Sequence, residues 1–438
     1  MNVAVIKTKA ETALAEQFER VAAGLPGGDD VLRQRRAAIG EFAGRGLPHR
    51  RIEEWKYTDL RALIKDAAAP LAKAAAAEIS KSERAKLSGG LDAHTLIFLD
   101  GVLAYQDDAP EHGLTISTFG RASDVGGVAV PQWETIDAGA HSVLALNTAF
   151  ATDGAVIEVA AGAKLTRPVH LVFVSTGAKS AALTLRNSVT IRASAEVTLI
   201  ETYVTKGSAA TQINAVTAVK LEQSASLHHV KTLGVENGSL HLGNTIADIG
   251  AKASYRPFQM TIGDGIARHQ LTITFSGQHA MFDLGSAVLS NAAGHIDTTM
   301  TIDHAVPHCV SRELYKCVLD ERARGVFQGK VIVRPLAQKT DGKQMARALL
   351  LSPDAEFNSK PELEIYADDV VCGHGTTSME LDADLLFYLQ SRGIPTAEAR
   401  TMLVESFIGE AIDKVEHEGL RETLMDKARA WLNATAAG

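Results

Sequence analysis

The sequence predicts a mainly β protein in which a long β-solenoid core is flanked by N- and C-terminal helical regions. Runs of alternating apolar and polar residues, such as AVIEVA, EVTLIETYV and GKVIVRP, recur from about His94 onward, and this alternation is typical of strands. Gly, Asn, Asp and Ser bound these runs, and few helical segments lie between them. A sandwich, a barrel and a stacked solenoid all fit the spacing, but so many strands favour the solenoid.

The core of this solenoid is expected to contain few aromatic rings. Aromatic residues make up 5% of the 438-residue chain and hydrophobic residues 46%, so Val, Ile, Leu and Ala must fill most of the interior. The sequence has no strict hexapeptide repeat, which disfavours a regular left-handed β-helix. We assign the β-helix core to residues 91–378.

Residues 1–90 are predicted to form an N-terminal helical region. The segment is rich in Ala, Glu, Lys, Arg and Leu, and it carries Leu14 and Phe18 at helical spacing. The motifs GLPGGDD and GLP break the helices. We interpret Trp55 and Tyr57 in RRIEEWKYTDL as anchors of this region on the rest of the protein, because large amphipathic rings usually have that role.

Residues 379–438 are predicted to form a C-terminal helical region. The stretch LDADLLFYLQSRGI has an acidic start, apolar residues at helical spacing and Gly393 as a stop. Pro395 then opens two further helices with apolar faces. These faces either pack on the β core or dock into a partner's groove, and the pattern does not decide between the two.

Charge and composition argue against several classes of protein. A formal net charge of −8 disfavours non-specific nucleic-acid binding, which needs a basic surface. The cysteines Cys309, Cys317 and Cys372 form neither a disulfide framework nor a four-thiolate metal site. The sequence shows no signal-peptide pattern and no apolar run long enough to span a membrane. We therefore expect a cytoplasmic protein without nucleic-acid or membrane partners.

The segment that ends in VVCGHG is the most informative one in the chain. It places Cys372 and His374 two positions apart, with Gly373 between them. On an extended strand, side chains at i and i+2 point to the same face. Together a thiol and an imidazole would make a soft-metal or sulfur site, although two ligands alone form an incomplete one. The alternative is that Cys372 is a small buried hydrophobic residue, and we interpret Cys309 and Cys317 in that way.

Several longer stretches resemble one family. RARGVFQGKVIVRPLAQKTDGKQMARALLLS, KPELEIYADDVVCGHGTT and LDADLLFYLQSRGI follow one another in the order and wording of the C-terminal signature of the SufD family, the scaffolds of the SUF iron–sulfur cluster assembly system. The paralogous SufB family carries a cysteine in a CDSLL-like phrase and HEA further on. This chain has Met345-Ala346-Arg347 and Cys372-Gly373-His374 at the matching places, so it resembles SufD more than SufB.

The resemblance implies a right-handed parallel β-helix that pairs with SufB and binds the ABC-type ATPase SufC. It also implies a transient iron–sulfur cluster shared with SufB, with His374 and Cys372 completing the site where the last strands contact SufB. The chain has no P-loop motif, so ATP would act only through SufC. In the C-terminal helices, the candidates for SufC binding are Arg400, Met402, Leu403, Phe407 and Ile408.

The favoured function is therefore a non-catalytic scaffold, and an enzyme and a flavin-binding role stay open as alternatives. A Cys–His pair could activate a thiolate for enzymatic catalysis, whereas a sugar-cleaving enzyme would need clustered carboxylates and exposed aromatic residues, which are scarce here. Reduced flavin is a further cofactor to consider, but no dinucleotide fingerprint supports it. In isolation, the chain could form a homodimer through an exposed last strand, since such strands pair readily.

Overall fold

A computed structural model describes residues 7–71, 79–107, 110–120 and 138–436 of the chain. The described helices lie mostly at the two ends. They are α1 (Lys9–Val21), α2 (Asp29–Arg45), α3 (Leu60–Leu63), α4 (Lys81–Ser88), α5 (Ala138–Phe150), α6 (Ala383–Ser391), α7 (Thr396–Ile412) and α8 (Glu418–Ala436).

The described strands form an almost uninterrupted series between these helical regions. They are β1 (His94–Leu99), β2 (Val102–Gln106), β3 (Leu114–Thr118), β4 (Ala155–Val159), β5 (Val169–Ser175), β6 (Ala181–Ile191), β7 (Glu196–Thr205), β8 (Thr211–Leu221), β9 (Ser226–Val235), β10 (Leu240–Ile249), β11 (Ser254–Gly263), β12 (Ile266–Phe275), β13 (Met281–Ser290), β14 (His295–His304), β15 (Val310–Leu319), β16 (Arg324–Val333), β17 (Asp341–Leu350), β18 (Glu356–Ile365) and β19 (Val371–Met379).

Successive strands alternate between two sheets, and this alternation makes the core a solenoid. From β4 onward each strand pairs in parallel with the strand two positions later. One sheet, which we call the odd-numbered sheet, contains β1, the odd-numbered strands from β5 onward, and β2 at its edge. The other, the even-numbered sheet, contains the even-numbered strands from β4 onward and β3 at its edge. Two strands complete one turn, and about eight turns are stacked. The structure therefore confirms the predicted parallel β-solenoid with helices at both ends.

Alternate residues of each strand fill the space between the two sheets. Aliphatic side chains dominate this interior, as the shortage of aromatic residues predicts; Val219, Leu227 and Ile273 are examples, each almost fully buried. Burying one such side chain stabilises the fold by roughly 1.5–3 kcal/mol. The residues of opposite parity point outward, so the parity of a position decides whether its side chain faces the interior of the solenoid.

The N-terminal helices cover the outer face of the even-numbered sheet. Leu240 and Leu242 on β10 belong to one buried cluster with Phe42 and Trp55. The Arg268 guanidinium lies 3.9 Å from the centre of the Trp55 ring, a distance at which a cation is attracted to the ring face. The structure therefore confirms that Trp55 anchors this region.

The C-terminal helices cover the outer face of the odd-numbered sheet. Ile408 on α7 and Trp431 on α8 share a buried cluster with Phe258, Leu289 and Val318 of the sheet. Of the two alternatives left open for the apolar faces of these helices, packing on the β core is thus correct for the inner faces of α7 and α8.

Helix α5 lies inside the segment that the sequence assigned to the β core. It packs on α2, where the buried Arg35 guanidinium donates to the carbonyl oxygens of Ala149 and Ala151, each at 2.9 Å. Asn147 on the same helix donates to the carbonyl oxygen of Leu185 at 2.9 Å. These contacts explain why a helix lies here: they attach α5 to both the N-terminal region and the even-numbered sheet.

The two ends of the solenoid differ. At the N-terminal end, β1 pairs with β2 and β4 pairs with β3, both in antiparallel orientation. These two antiparallel strands therefore cover the first edge of each sheet. At the other end, β18 and β19 are the last strands of their sheets, and no described strand pairs with their outer edges. Their side chains are half-buried or exposed, in contrast to the turns before them. We call the surface formed by β18 and β19 the open end.

Candidate functional site at the open end

Cys372 and His374 both lie on β19, at the open end. Cys372 is opposite Gly342 on β17 in the ladder, and His374 is opposite Gln344. The interior residue Ala346 has the same parity as Gly342 and Gln344, so both Cys372 and His374 belong to the inner face. Cys372 is half-buried and packs against the core, whereas His374 is exposed to solvent.

The surroundings of Cys372 keep its thiol protonated. Burial raises the pKa of the thiol, the N–H of Gly342 opposes this, and the carboxylates of Asp341 and Glu313 raise the pKa further. A nucleophilic cysteine needs the opposite, a lowered pKa in an electropositive site. The geometry is thus unsuited to an activated thiolate. It still allows metal binding, since a metal can displace the thiol proton.

Two polar residues of the inner face, Glu313 on β15 and Gln344 on β17, were not predicted from the sequence. Glu313 lies opposite Gln344 in the ladder, and Gln344 lies opposite His374, so the three residues form one column. Glu313 is 3% exposed and Gln344 2%. The signal in the sequence is a charged residue at an inward position of VSRELYKCVL, and it is visible only once the parity of the strand is known.

The side-chain oxygen and nitrogen atoms of Glu313 and Gln344 make no hydrogen bond within 3.5 Å to any described residue, and the hydroxyl of Ser311 is the nearby donor that interacts with Glu313. Burial raises the pKa of Glu313 to about 8, opposed by the nearby Ser311 and Arg312. The hydroxyl of Ser311 is also 3.2 Å from Nε2 of His304. Such orphaned polar groups cost free energy when buried, and they are uncommon in native proteins.

A second polar group lies in the interior of the central turns, and we call it the central cluster. Its centre is Glu201, whose carboxylate is 3.0 Å from Nε2 of His229 and 3.2 Å from Nζ of Lys231. The carboxylate also accepts hydrogen bonds from the hydroxyls of Tyr203 at 2.7 Å and Thr217 at 2.8 Å. Burial alone would raise the pKa of Glu201, but Lys231, His229 and Tyr203 outweigh it and hold the pKa well below its ordinary value.

The candidates for SufC binding do not all reach the surface. Arg400 and Met402 on α7 are exposed, and Leu403 is half-buried. Phe407 is half-buried, with Nζ of Lys316 4.3 Å from the centre of its ring. Ile408 is fully buried against the sheet, so its side chain holds α7 on the solenoid and offers no exposed surface.

The exposed apolar surface of the C-terminal region lies largely on α6. Leu385 and Tyr388 are each 51% exposed, Phe387 is 71% exposed, and Met402 on the neighbouring α7 is 44% exposed. The sequence showed that α6 is amphipathic, but it could not show which of its apolar residues remain uncovered. Several large apolar side chains exposed on one short helix are typical of an interaction surface.

Among the residues that the structure describes, no three His, Cys, Asp or Glu side chains are gathered in an arrangement that could hold a metal ion. The residues at the open end therefore do not form a complete metal site by themselves. None of the described helices combines the length and apolar character needed to cross a membrane.

Comparison with known proteins identifies the family. Residues 173–407 match the family described as SUF system FeS cluster assembly, SufBD core domain, and residues 28–171 match the SufBD protein N-terminal region. The chain is 30% identical over 416 residues to an iron–sulfur cluster assembly SufBD family protein of Synechocystis, which covers 90% of both chains.

Two further relatives point the same way. The chain is 30% identical over 386 residues to the iron–sulfur cluster assembly protein SufD of Escherichia coli, which covers 87% of this chain and 88% of the relative. It is 31% identical over 297 residues to the chloroplastic protein ABCI7 of Arabidopsis thaliana, which covers 66% and 62% of the two chains. The solenoid, its helical ends and these similarities together show that the chain belongs to the SufBD family of iron–sulfur cluster assembly proteins and is SufD-like.

Proposed function

We propose that the chain is a non-catalytic scaffold subunit of the SUF machinery, which pairs with SufB through the open end and binds SufC through its C-terminal helices. A transient iron–sulfur cluster would form between the two scaffolds, with His374 and Cys372 as ligands from this chain and with ATP acting only through SufC. The observation that carries this proposal is the open end itself, where the two candidate ligands and the unpaired strands coincide.

The open end has the properties that pairing with another solenoid requires. The outer edges of β18 and β19 have no strand partner in the described chain, and unpaired edges readily add a strand from another molecule. Tyr366, directly after β18, and Val371, the first residue of β19, are each 60% exposed. In the absence of SufB, the same surface is expected to support a homodimer of this chain.

The proposed SufC contact rests on the apolar group formed by α6 and α7. Phe387, Tyr388 and Met402 are exposed, whereas the opposite face of α7 is buried on the sheet. This division lets the helices present one face to SufC while the other keeps them fixed to the solenoid. A movement of SufC driven by ATP would then be transmitted directly to the scaffold.

Co-expression with SufB and SufC of the same organism, with one subunit tagged, tests the proposal. We expect affinity purification followed by size-exclusion chromatography to give a stable complex of all three. If SufB and SufC associated with each other while this chain was absent from the complex, the scaffold role would be wrong.

Single surface substitutions test the SufC contact better than a truncation before Pro395. Such a truncation would also remove Ile408 and Trp431 from the buried cluster on the sheet, and loss of binding could then reflect misfolding. Phe387→Asp is expected to weaken the recovery of SufC at least tenfold and leave SufB bound. Thr423→Asp, at an exposed position of α8, is the control and should bind SufC normally; equal recovery with both variants would place the SufC contact elsewhere.

A further inference from the structure

The inner face of the last three odd-numbered strands carries more donor atoms than the two candidate ligands. On β15, β17 and β19, the ladder sets Glu313, Gln344 and His374 opposite one another. In the next column of the same face, Ser311, Gly342 and Cys372 are opposite one another. Carboxylate, amide, imidazole and thiol groups thus share one face of the sheet, from the exposed His374 at the open end to the buried Glu313.

Gly342 leaves room beside this group. A Cβ at Gly342 would lie 3.4 Å from Oγ of Ser311 and 3.7 Å from Sγ of Cys372, so both atoms border the space that the glycine leaves free. On the opposite sheet, a Cβ at Gly329 would lie only 2.7 Å from Oε1 of Gln344. The glycine at 329 therefore makes room for the inward-pointing amide of Gln344.

The side-chain polar atoms of Glu313 and Gln344 have no hydrogen-bond partners among the described residues. Both carboxylate oxygens of Glu313 and both amide atoms of Gln344 are buried without a hydrogen bond. No described ion pair reaches Glu313, whereas Glu201, in the central turns, is paired with Lys231 and His229. A buried carboxyl group without a cation is unfavourable, and a divalent cation would supply the missing charge.

The spacing of the column allows one ion to be shared. Neighbouring strands lie about 4.8 Å apart, so the backbones of Glu313 and His374 are roughly 10 Å apart with Gln344 between them. Glutamate and histidine side chains, each reaching about 4 Å from the backbone, can meet at the level of Gln344. Oxygen and imidazole donors suit ferrous iron, and a nearby thiolate suits it further.

We propose that Glu313 and Gln344 are inner ligands for ferrous iron, which enters at the open end and is held between them, His374 and Cys372. This inference rests on the proposed function, because iron is there the cargo of the scaffold. The ligands are not gathered into a metal site in the described chain, so the ion itself must draw them together. A site of this kind releases its cargo more readily than a preformed one.

Binding of Co²⁺ to the purified full-length chain under anaerobic conditions tests the inference. Co²⁺ replaces Fe²⁺ at such sites, and its absorption spectrum reports bound thiolate. We expect Glu313→Gln, Gln344→Leu and His374→Ala each to weaken Co²⁺ binding at least tenfold. Cys372→Ser should remove the thiolate-to-cobalt absorption, and Glu313→Gln should retain it at saturating Co²⁺.

Gln259→Leu is the matched control, since Gln259 is another buried glutamine of the same inner face, with Nε2 unpartnered. It lies on β11, three strands away from β17 in the sheet, and should bind Co²⁺ like the unmodified chain. Thermal unfolding checks that Glu313→Gln folds, and we expect its midpoint not to be lowered because the amide replaces an unpaired carboxyl group.

The outcomes separate this inference from the proposed function. Glu313→Gln could bind Co²⁺ as tightly as the unmodified chain while His374→Ala does not. The assignment of Glu313 and Gln344 as ligands would then be wrong, and the assignment of His374 would be retained. If the unmodified chain binds no Co²⁺, the inner site is also wrong. In either case the co-purification with SufB and SufC judges the scaffold role independently.

Discussion

The solenoid interior holds two groups of buried polar side chains that differ in one respect. In the central cluster the carboxylate of Glu201 is bound by two hydroxyls, by His229 and by Lys231. In the turns just inside the open end, Glu313 on β15 and Gln344 on β17 are just as buried, yet their side-chain polar atoms make no hydrogen bond to the described residues.

The difference indicates different roles for the two groups. A fully bonded polar cluster is consistent with a structural role, since each of its members would lose a partner if the strands shifted in register. An unbonded group lowers the stability of the chain by itself, and it gains partners only when something enters. We therefore assign the central cluster to the folding of the protein, and we propose cargo binding as the role of Glu313 and Gln344.

Lys231→Met is the strongest test of the structural side of this comparison. It leaves the buried carboxylate of Glu201 without its lysine, and removing one partner of a buried ion pair typically costs about 3–5 kcal/mol. We expect a clearly lowered midpoint of thermal unfolding, measured by circular dichroism. Lys220→Met, at an exposed position, is the control and should change the stability by about 0.5 kcal/mol or less. Equal midpoints would show that the central cluster contributes nothing to the fold.

The contributions of Glu313 and Glu201 to the free energy of unfolding should change with pH in opposite directions. The pKa of Glu313 is raised from 4.5 to about 8 in the folded chain. Between these values the folded state binds one more proton than the unfolded state, so this group lowers the free energy of unfolding as the pH rises. Glu313→Gln has no titrating group at this position, so its free energy of unfolding does not fall with pH for this reason. We expect the variant to be more stable than the unmodified chain by an amount that grows to about 4 kcal/mol at pH 8.

Glu201 provides the opposite case. Its pKa is lowered in the folded chain, so it contributes stability that is present above its ordinary value of 4.5 and is lost as the pH falls below it. Glu201→Gln should therefore be less stable than the unmodified chain at neutral pH, and the gap should narrow in acid. Urea unfolding of both variants from pH 4 to pH 8 measures the two trends, and parallel trends would contradict the assignment of the two groups.

His374→Ala should have the smallest effect on stability and yet remove function. The imidazole is exposed, and surface substitutions usually change stability by about 0.5 kcal/mol or less. We expect an unchanged midpoint of thermal unfolding together with impaired cluster assembly in cells that depend on the SUF system. Normal assembly with a stable variant would show that the imidazole is not a ligand.

Much of the fold could be predicted from the sequence because β-strands have a two-residue period. The alternation in AVIEVA or GKVIVRP locates strands without knowledge of their neighbours, and the strand-rich stretch after His94 favours a solenoid. The motif around Cys372 and His374 was equally visible, since residues two apart on a strand share a face. Helix α5 could not be predicted in the same way, because its burial depends on contacts with α2 and β6, which the local pattern does not reveal.

The sequence by itself determined the strands, the helical ends, the family and the pair Cys372 and His374, because these follow from local periodicity and from motifs. Only the tertiary structure decided which residues far apart in the chain become neighbours. Ladder register sets Glu313 and Gln344 in line with His374, and packing of α7 on the sheet buries Ile408. Both depend on contacts between strands or helices that are distant in sequence, and such contacts leave no local pattern.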